Sequence, residues 1–396
     1  MRLGLAVSGG GDSMALMTLA QAWARDSGRQ TTSLHVATVD HHLRPGSAQE
    51  AQMVAAAAQS LGLSHVTLHW QGWTGRGNLQ DAARQARRAL LADWAANLGL
   101  HAVLLGHTQD DQAETFLLRL ARGSGVDGLA GMQAHHRAEG MVWLRPMLGM
   151  TRHDLRTWLA ARGVAWAEDP SNEDPAFDRV RARQMQNLLA PLGLTTRRLA
   201  ETAARMAEAR LVLDMAADAA QAQLRREQHG DIVFAAAELD ALPDEIRTRL
   251  IARALCAVAS QPYRPRLKAL RAALTAPCAT LHGCLITRDR QEVRITREAS
   301  AVRDLRVPLG QIWDNRWRLI PPAAIASEIP GDGLSIAALG PDGLAFCPDR
   351  SRWRLPRQSL LASPGVWREG TLVAAPLAGL APDWSSKLCQ SDTSAA

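Results

Sequence analysis

The chain has 396 residues, enough for two or three domains and a substantial core, and its net charge of +6 favours polyanionic partners. Five cysteines (Cys256, Cys278, Cys284, Cys347 and Cys389) lie in the C-terminal part without CxxC spacing, which argues against a disulfide framework, a zinc ribbon and an iron–sulfur cluster. No apolar run approaches the roughly 18 residues of a membrane span, and a strand pattern beginning at Leu3 leaves no room for a signal peptide, so a soluble, cytoplasmic protein with no membrane partner is expected.

The apolar run Leu3 to Val7 reads as a buried strand. Helical spacing of Leu16, Leu19, Ala20 and Trp23 then predicts a helix from Met14 to Trp23. Strand and helix patterns alternate from there. Ser33 to Val39 is a strand, Gly46 to Leu61 a helix, His65 to Trp70 a strand and Asn78 to Leu98 a helix. Ala102 to Leu105, Thr108 to Leu120 and Met141 to Leu144 continue the series as strand, helix and strand. Repeated βα units of this kind predict an α/β fold with a doubly wound parallel sheet and helices on both faces. Ligands of such sheets bind beyond the carboxyl ends of the strands.

The turn between the first strand and helix is Ser8-Gly9-Gly10-Gly11-Asp12-Ser13. Three glycines let backbone approach a phosphate closely, and the helix start contributes N–H groups and the positive end of its dipole. Ser8 and Ser13 add hydroxyl donors. No Gly-Lys-Ser/Thr follows, so this is not a Walker loop, and contiguous glycines rule out the GxGxxG dinucleotide pattern. The alternative is a tight turn that binds nothing.

Three more polar clusters follow strands and project onto the same sheet edge. They are Asp40-His41-His42-Leu43-Arg44, the loop Gly72 to Gly77 with Asn78 to Arg87, and Gly106-His107-Thr108-Gln109-Asp110-Asp111-Gln112-Ala113-Glu114-Thr115. Asp111 and Glu114 share a helix face, with His107 one turn earlier. Their spacing matches no strong metal motif. Helix capping by Asp110 and Asp111 and a pocket for a cationic substrate, whose proton a carboxylate could accept, stand about even.

The loop Ser8 to Ser13 resembles the SGGxDS signature of the PP-loop ATP pyrophosphatases, which implies an ATP site there. Further segments sharpen the likeness: Asp40 to Arg44, Gly106 to Thr115, Arg122-Gly-Ser-Gly125 with Gly128-Leu129, and Glu168-Asp-Pro-Ser-Asn172. Taken in order over residues 3 to about 190, they look like the tRNA(Ile)-lysidine synthetase family. That resemblance implies adenylation of the 2-carbonyl oxygen of the wobble cytidine in an isoleucine tRNA with anticodon CAU. The ε-amine of L-lysine then displaces AMP to give lysidine.

On this resemblance Ser8, Gly9, Gly10, Gly11, Asp12 and Ser13 bind ATP, with Mg²⁺ accompanying its phosphates. Asp40, Arg84, Asp111 and Glu114 are the expected catalytic residues, and Arg87 is a further phosphate candidate. His107 and Asp110 join Asp111 and Glu114 as candidates for holding lysine and cytidine. Arg122, Arg179, Arg181, Arg183, Arg264 and Arg266 are candidates for tRNA contacts. One departure is Val180, where many relatives carry asparagine.

The remaining chain divides by composition. Residues 1–190 are the expected catalytic domain, with Pro170 to Pro175 reading as a loop, and 191–300 a helical, substrate-binding domain with strands around Cys284 to Ile295. Residues 301–381 are an expected β-rich, tRNA-binding domain, and 382–396 a polar, disordered tail. Basic clusters at Arg197-Arg198, Arg225-Arg226 and Arg264 to Arg271 suit RNA phosphates, or are simply solvated faces. Trp313 and Trp317, flanking Asp314 to Arg316, read as packing residues beside a turn. A homodimer is compatible with the composition. Related base-thiolating enzymes need a cysteine or cluster near the nucleotide, and none precedes Cys256. An amide-forming ligase for small molecules would leave the basic C-terminal half unexplained, and a non-catalytic RNA-binding or nucleotide-sensing module would not need Asp12, Asp111 and Glu114.

Overall fold

The computed structural model describes residues 1–28, 33–42, 46–71, 73, 78–168, 174, 176–323 and 333–389. Leu43 and Arg44, most of the 72–77 loop, Asp169 to Asn172, most of the 170–175 loop and the last residues of the expected tail lie outside them. The chain divides into two compact units, Met1–Leu211 and Val212–Ala396.

In the first unit β1 (Leu3–Ala6), α1 (Gly11–Asp26), β2 (Leu34–Asp40), α2 (Ser47–Ser60) and β3 (Ser64–His69) follow one another. Next come α3 (Leu79–Asn97), β4 (Ala102–Leu105), α4 (Gln109–Ala121), α5 (Val126–Leu129), β5 (His135–Ala138) and β6 (Met141–Leu144). Then follow α6 (Arg152–Ala160), α7 (Asp178–Leu189) and the long α8 (Thr196–Leu224), inside which the unit boundary falls. The sheet order is β3-β2-β1-β4-β6-β5. All pairings are parallel except β5 with β6, a hairpin strand the alternation of apolar residues did not reveal.

Both faces of this sheet are covered at its centre, which is why β1 and β4 are apolar throughout, whereas the edge strands β3 and β5 are largely polar. Leu3, Leu5, Val7, Leu34 and Val36 pack with Met14, Leu16 and Met17 of α1, Val54 of α2 and Leu159 of α6. On the other face, Ala6, Ala37, Val103 and Trp143 pack with Leu91, Trp94 and Ala95 of α3. The chain winds outward from β1 through β2 to β3 and then returns to β4 on the other side. The switch point therefore lies between β1 and β4, where an open α/β sheet forms its ligand crevice.

The middle of the chain is mainly helical, with strands at Cys284 to Ile295 as expected and further short strands beside them. Strands β7 (Arg226–Gln228), β8 (Asp231–Ala235), β9 (Cys278–Leu281), β10 (Cys284–Arg288) and β11 (Glu292–Arg297) form a sheet of order β7-β8-β11-β10-β9. Three helices connect β8 to β9: α9 (Ala236–Asp240), α10 (Asp244–Ala259) and α11 (Leu267–Thr275). Leu250, Ile251, Leu255 and Val258 of α10 pack on Ile232, Ile286 and Ile295. Strands β7 and β8 escaped a helical reading of the flanking segments because they are short and lie directly between α8 and α9.

A third core gathers Trp313, Trp317, Leu319, Ile336, Leu360, Val366 and Trp367. Its strands are β12 (Arg306–Pro308), β13 (Trp317–Ile320), β14 (Leu334–Ala338), β15 (Pro364–Arg368), β16 (Thr371–Ala374) and β17 (Ser385–Leu388). Trp313 N–H donates to Trp317 O at 2.8 Å across the turn at Asp314 and Asn315, both in the left-handed region. The expectation of disorder from 382 onward is corrected at β17, which pairs antiparallel with β13 from Trp317↔Leu388 to Ile320↔Ser385. Its alternation of exposed and half-buried residues is that of a two-sided edge strand, which polarity alone disguises. Among the described residues no helix is long and apolar enough to cross a membrane.

Candidate active site at the sheet switch point

The loop after β1 is built on itself. Ser8 N–H donates to Ser13 Oγ at 3.1 Å, and Ser13 Oγ donates to Gly10 O at 2.9 Å. Ser8 Oγ lies 3.2 Å from Ser13 Oγ. Gly9 has φ +93°, a conformation that only glycine adopts at little cost. Its carbonyl accepts Ala167 N–H at 2.9 Å, which holds the loop from the far side. Gly10 caps α1 with extended backbone and no side-chain hydrogen bond. The first N–H groups of the helix, lacking intrahelical acceptors, are thus available to an anion.

The loop after β4 approaches this one closely. A Cβ at Gly106 would stand 3.1 Å from Asp12 O and from Ser13 Cα, so only glycine lets the two loops lie this near. Thr108 then caps α4. It forms a reciprocal capping box in which Thr108 N–H and Oγ1 donate to Asp111 Oδ2 at 2.8 and 3.0 Å. The capping reading of Asp111 is therefore correct, but it uses only one carboxylate oxygen.

The other oxygen belongs to a charged cluster centred on Arg152. Arg152 Nε donates to Asp12 Oδ2 at 3.0 Å, Nη1 to Glu114 Oε1 at 3.3 Å and Nη2 to Asp111 Oδ1 at 3.4 Å. Asp110 Oδ2 accepts the Arg152 backbone N–H at 2.7 Å, so Asp110 fixes the start of α6. From α7, Arg179 reaches Asp111 Oδ1 at 3.4 Å and Arg183 reaches Glu114 Oε1 at 3.0 Å. Arg179 and Arg183 are four residues apart and share a helix face. Arg181 points elsewhere, to Asp178, which also accepts from Arg122 at 3.0 Å. Val180 is buried in the body of the unit.

Two buried carboxylate oxygens in this cluster, Asp12 Oδ1 and Glu114 Oε2, have no hydrogen-bond donor among the described residues. Buried acceptors without partners are costly and call for a cationic or donor ligand. Hard carboxylate oxygens suit Mg²⁺ or an ammonium group equally well. Burial pushes the Asp12 carboxyl up despite the Arg152 charge. Burial also acts to raise Asp111, but Arg152, the Thr108 N–H and Arg179 together hold it below the usual carboxylate value.

Beside the carboxylates lies a basic group. Arg145 Nε donates to His107 Nδ1 at 3.2 Å, and Arg145 Nη1 lies 3.1 Å from His136 Nδ1. Arg88 Nη2 lies 3.1 Å from His136 Nε2. Burial, together with the neighbouring guanidiniums, lowers both His107 and His136 to about 4, so each is a neutral imidazole near neutrality. Arg84 is lowered by burial and by repulsion from Arg179 and Arg88. Arg87 is lowered by burial and by Arg84. Arginines packed this closely favour an anion between them.

A cavity of about 250 Å³ opens next to Ser8. Apolar Val7, Ala37, Val39 and Leu91 line it together with Thr38, His41, Ser47, Glu50 and Arg87. Its apolar walls with a few convergent polar groups suit a planar base and sugar. Asp40 is buried at the end of β2, where Oδ1 accepts His42 N–H at 2.9 Å and a side-chain bond links it to Ser47. Of these partners Ser47 lines the cavity, while Asp40 itself does not.

Sequence reading placed the phosphate loop, Asp111 and Glu114 together but missed Arg152. One signal was available. A cation at the first position of a helix opposes the helix dipole, so an arginine there implies a local anion. Arg264 and Arg266 belong to the second unit, where both are exposed.

Residues 1–189 match the family model of the PP-loop domain. Over 391 residues the chain is 49% identical to a tRNA(Ile)-lysidine synthase from Ruegeria pomeroyi, across 98% of this chain and 91% of that protein. A tRNA(Ile)-lysidine synthase of Bradyrhizobium sp. strain BTAi1 is 44% identical over 269 residues, 65% of this chain and 75% of the relative. One from Wolbachia pipientis is 35% identical over 330 residues, 80% and 76% of the two chains.

Proposed function

This chain belongs to the tRNA(Ile)-lysidine synthase family, and we propose that its switch-point cluster carries out ATP-dependent ligation of L-lysine to the wobble cytidine of an isoleucine tRNA with anticodon CAU. The observation that carries the reading is the Arg152 side chain, which joins Asp12 of the phosphate loop to Asp111 and Glu114. Adenylation falls on the cytidine 2-oxygen and amine attack on the carbon that bears it, so the two half-sites have to be adjacent. Arg152 makes them so.

In the first step the cytidine 2-carbonyl oxygen attacks the α-phosphorus of ATP and pyrophosphate leaves. The neutral carbonyl is a weak nucleophile, so the site acts by positioning and by neutralising developing charge. Ser8, Ser13 and the N–H groups opening α1 hold the phosphates, and the cavity beside Ser8 takes the adenosine. Arg84, Arg87 and Arg145 supply positive charge for nucleotide or RNA phosphates. Asp12 Oδ1 is the protein oxygen best disposed to hold Mg²⁺, which would screen the pyrophosphate charge.

In the second step the ε-amine of lysine attacks C2, the C2–O bond breaks and AMP departs. Lysine arrives as an ammonium and must lose a proton first. Glu114 Oε2 is buried, unpartnered among the described residues and able to accept one. Asp111, held as an anion and occupied by Thr108, is better read as orienting Arg152 and Arg179 than as the base. Neutral His107 and His136 keep Arg145 in place through their ring nitrogens. The reaction, with ATP and tRNA as substrates, belongs in the cytoplasm.

Incubation of the protein with isoleucine tRNA, ATP and labelled lysine tests this. Label should enter tRNA with one AMP and one pyrophosphate released per lysine, and pyrophosphate should appear before lysine is added. Pyrophosphate release that is independent of tRNA would overturn it.

A further inference from the structure

We propose that Asp40, His42 and His69 form a binding site for a divalent transition metal of the zinc class, with a further coordination position open to solvent. One oxygen of Asp40 and one ring nitrogen of each histidine lie within 4.8 Å of one another. Asp40 ends β2 and His69 ends β3, and the two are cross-strand partners in the parallel register. Trp70 N–H donates to Asp40 O at 2.9 Å, which fixes that pairing at its last rung. Sheet geometry, not side-chain mobility, brings the two residues together.

His42 completes the set by a bend of the backbone. It has φ +52°, an uncommon conformation for a residue with a side chain that costs about 1 kcal/mol. Asp40 Oδ1 stabilises the bend by accepting His42 N–H at 2.9 Å, and Oδ2 lies 3.4 Å from His42 Nδ1. His42 Nε2 lies 3.1 Å from His69 Nδ1, with the two rings 9° from parallel. A tetrahedral zinc site with bonds of about 2.0–2.1 Å spaces its ligand atoms roughly 3.4 Å apart. Both imidazoles are exposed, so side-chain rotation alone can bring the set to that spacing while Asp40 stays anchored. Asp40 is also held by Ser47, which supplies the outer hydrogen bonding that orients metal-binding carboxylates.

Two imidazoles and one carboxylate select zinc, cobalt or nickel over magnesium. This site is therefore chemically distinct from the Mg²⁺ that accompanies ATP. Its occupation would brace the β2–α2 connection, where Ser47 and His41 border the cavity beside Ser8. Metal binding here stands independently of the lysine-ligation reading.

The test uses the full chain, freed of metal by chelation and titrated with Co²⁺ and then Zn²⁺ in millimolar Mg²⁺. One Co²⁺ per chain should bind at micromolar concentration, be displaced by Zn²⁺, and show nitrogen and oxygen ligation in X-ray absorption. His42→Ala and His69→Ala should each weaken binding by about tenfold or more, while Cys278→Ser, which alters an exposed thiol, should not. Sulfur ligation, absence of imidazole scattering, no micromolar binding, or unchanged affinity in both histidine variants would overturn the proposal. Should either variant fail to fold, the absorption spectrum of the unaltered chain decides the matter alone.

Discussion

Arg152 Nε donates to Asp12 Oδ2 at 3.0 Å, linking the first residue of α6 to the phosphate loop across 140 positions of sequence. The same guanidinium reaches Asp111 and Glu114, so one cation keeps three carboxylates together. Removing it would leave three anions without their shared counter-charge. Arg152→Ala should therefore cost about 3 kcal/mol of stability, the scale for breaking a largely buried ion pair. Pyrophosphate release should fall as well, because Asp12 would move with the loop. Denaturant unfolding combined with a pyrophosphate assay checks both; a variant of normal stability and activity would remove Arg152 from the centre of the site.

The phosphate loop gives a second prediction. Ser13 Oγ receives Ser8 N–H and donates to Gly10 O, so Ser13→Ala unties both ends of the loop. Adenylation should slow by about 10²- to 10³-fold, the range for loss of one preorganised donor. Binding of tRNA should stay nearly intact. Equal losses in tRNA affinity and adenylation would mean that the substitution disturbs more than the loop.

Asp111 and Glu114 should respond differently. Asp111 closes the Thr108 capping box, so Asp111→Asn should cost about 1 kcal/mol of stability through the cap. Glu114→Gln keeps the shape but replaces an oxygen that has no donor among the described residues. It should spare the adenylated tRNA and raise the lysine KM or slow AMP release. Single-turnover measurement of the two steps separates the cases, and loss of adenylation in Glu114→Gln would reassign this residue to the nucleotide.

Much of this arrangement was legible because it is local. The capping residues, the glycines of the loop and the period of α3 and α4 are short-range signals; they locate the ends of α3 and α4 within one residue, while α1 extends three residues beyond the expected Met14 to Trp23 at each end. The Arg152 cluster is assembled by the return of the chain from β6 to α6, and no spacing within either loop encodes that. Strand β17 escaped for a related reason: its polar residues are explained only by pairing with β13, which lies some distance earlier in the chain. Arg179 and Arg183 read as RNA contacts in sequence because nothing there shows the carboxylates they face.

The neutral histidines give a prediction in pH. His107 and His136 titrate near 4 in the folded protein, against about 6.5 when unfolded. Below 6.5 the unfolded chain takes up protons that the folded chain refuses. Stability from this source is complete above about 6.5, declines as pH falls towards 4, and declines no further below that. His107→Gln with His136→Gln should flatten the dependence of unfolding free energy on pH between 6.5 and 4. Subtracting the two profiles removes the contribution of carboxylates common to both proteins, and parallel profiles would show that the imidazoles are charged when folded.

The second unit supplies the final prediction, since an anticodon CAU is shared by methionine tRNA and a pocket for one cytidine cannot separate the two. Discrimination must draw on contacts elsewhere. Several basic residues there are already engaged: Arg271 Nη2 donates to Asp244 Oδ2 at 2.7 Å, and Arg225 pairs with Glu227 at 3.2 Å. Arg266 and Lys268, at the start of α11, are exposed and take no carboxylate partner among the described residues. They are the better candidates for RNA phosphates, and neither residue's removal should unfold α11, whose buried side chains are Leu270 and Ala273. Arg266→Glu with Lys268→Glu should weaken tRNA binding and reduce the log–log salt slope by roughly 0.7 to 0.9 for each phosphate no longer neutralised. Thermal melting should be unchanged, because the pair contributes nothing to the core. A slope equal to that of the unaltered protein, measured with isoleucine tRNA between low and moderate salt, would assign these charges to solvent and direct the search for discriminating residues to the first unit.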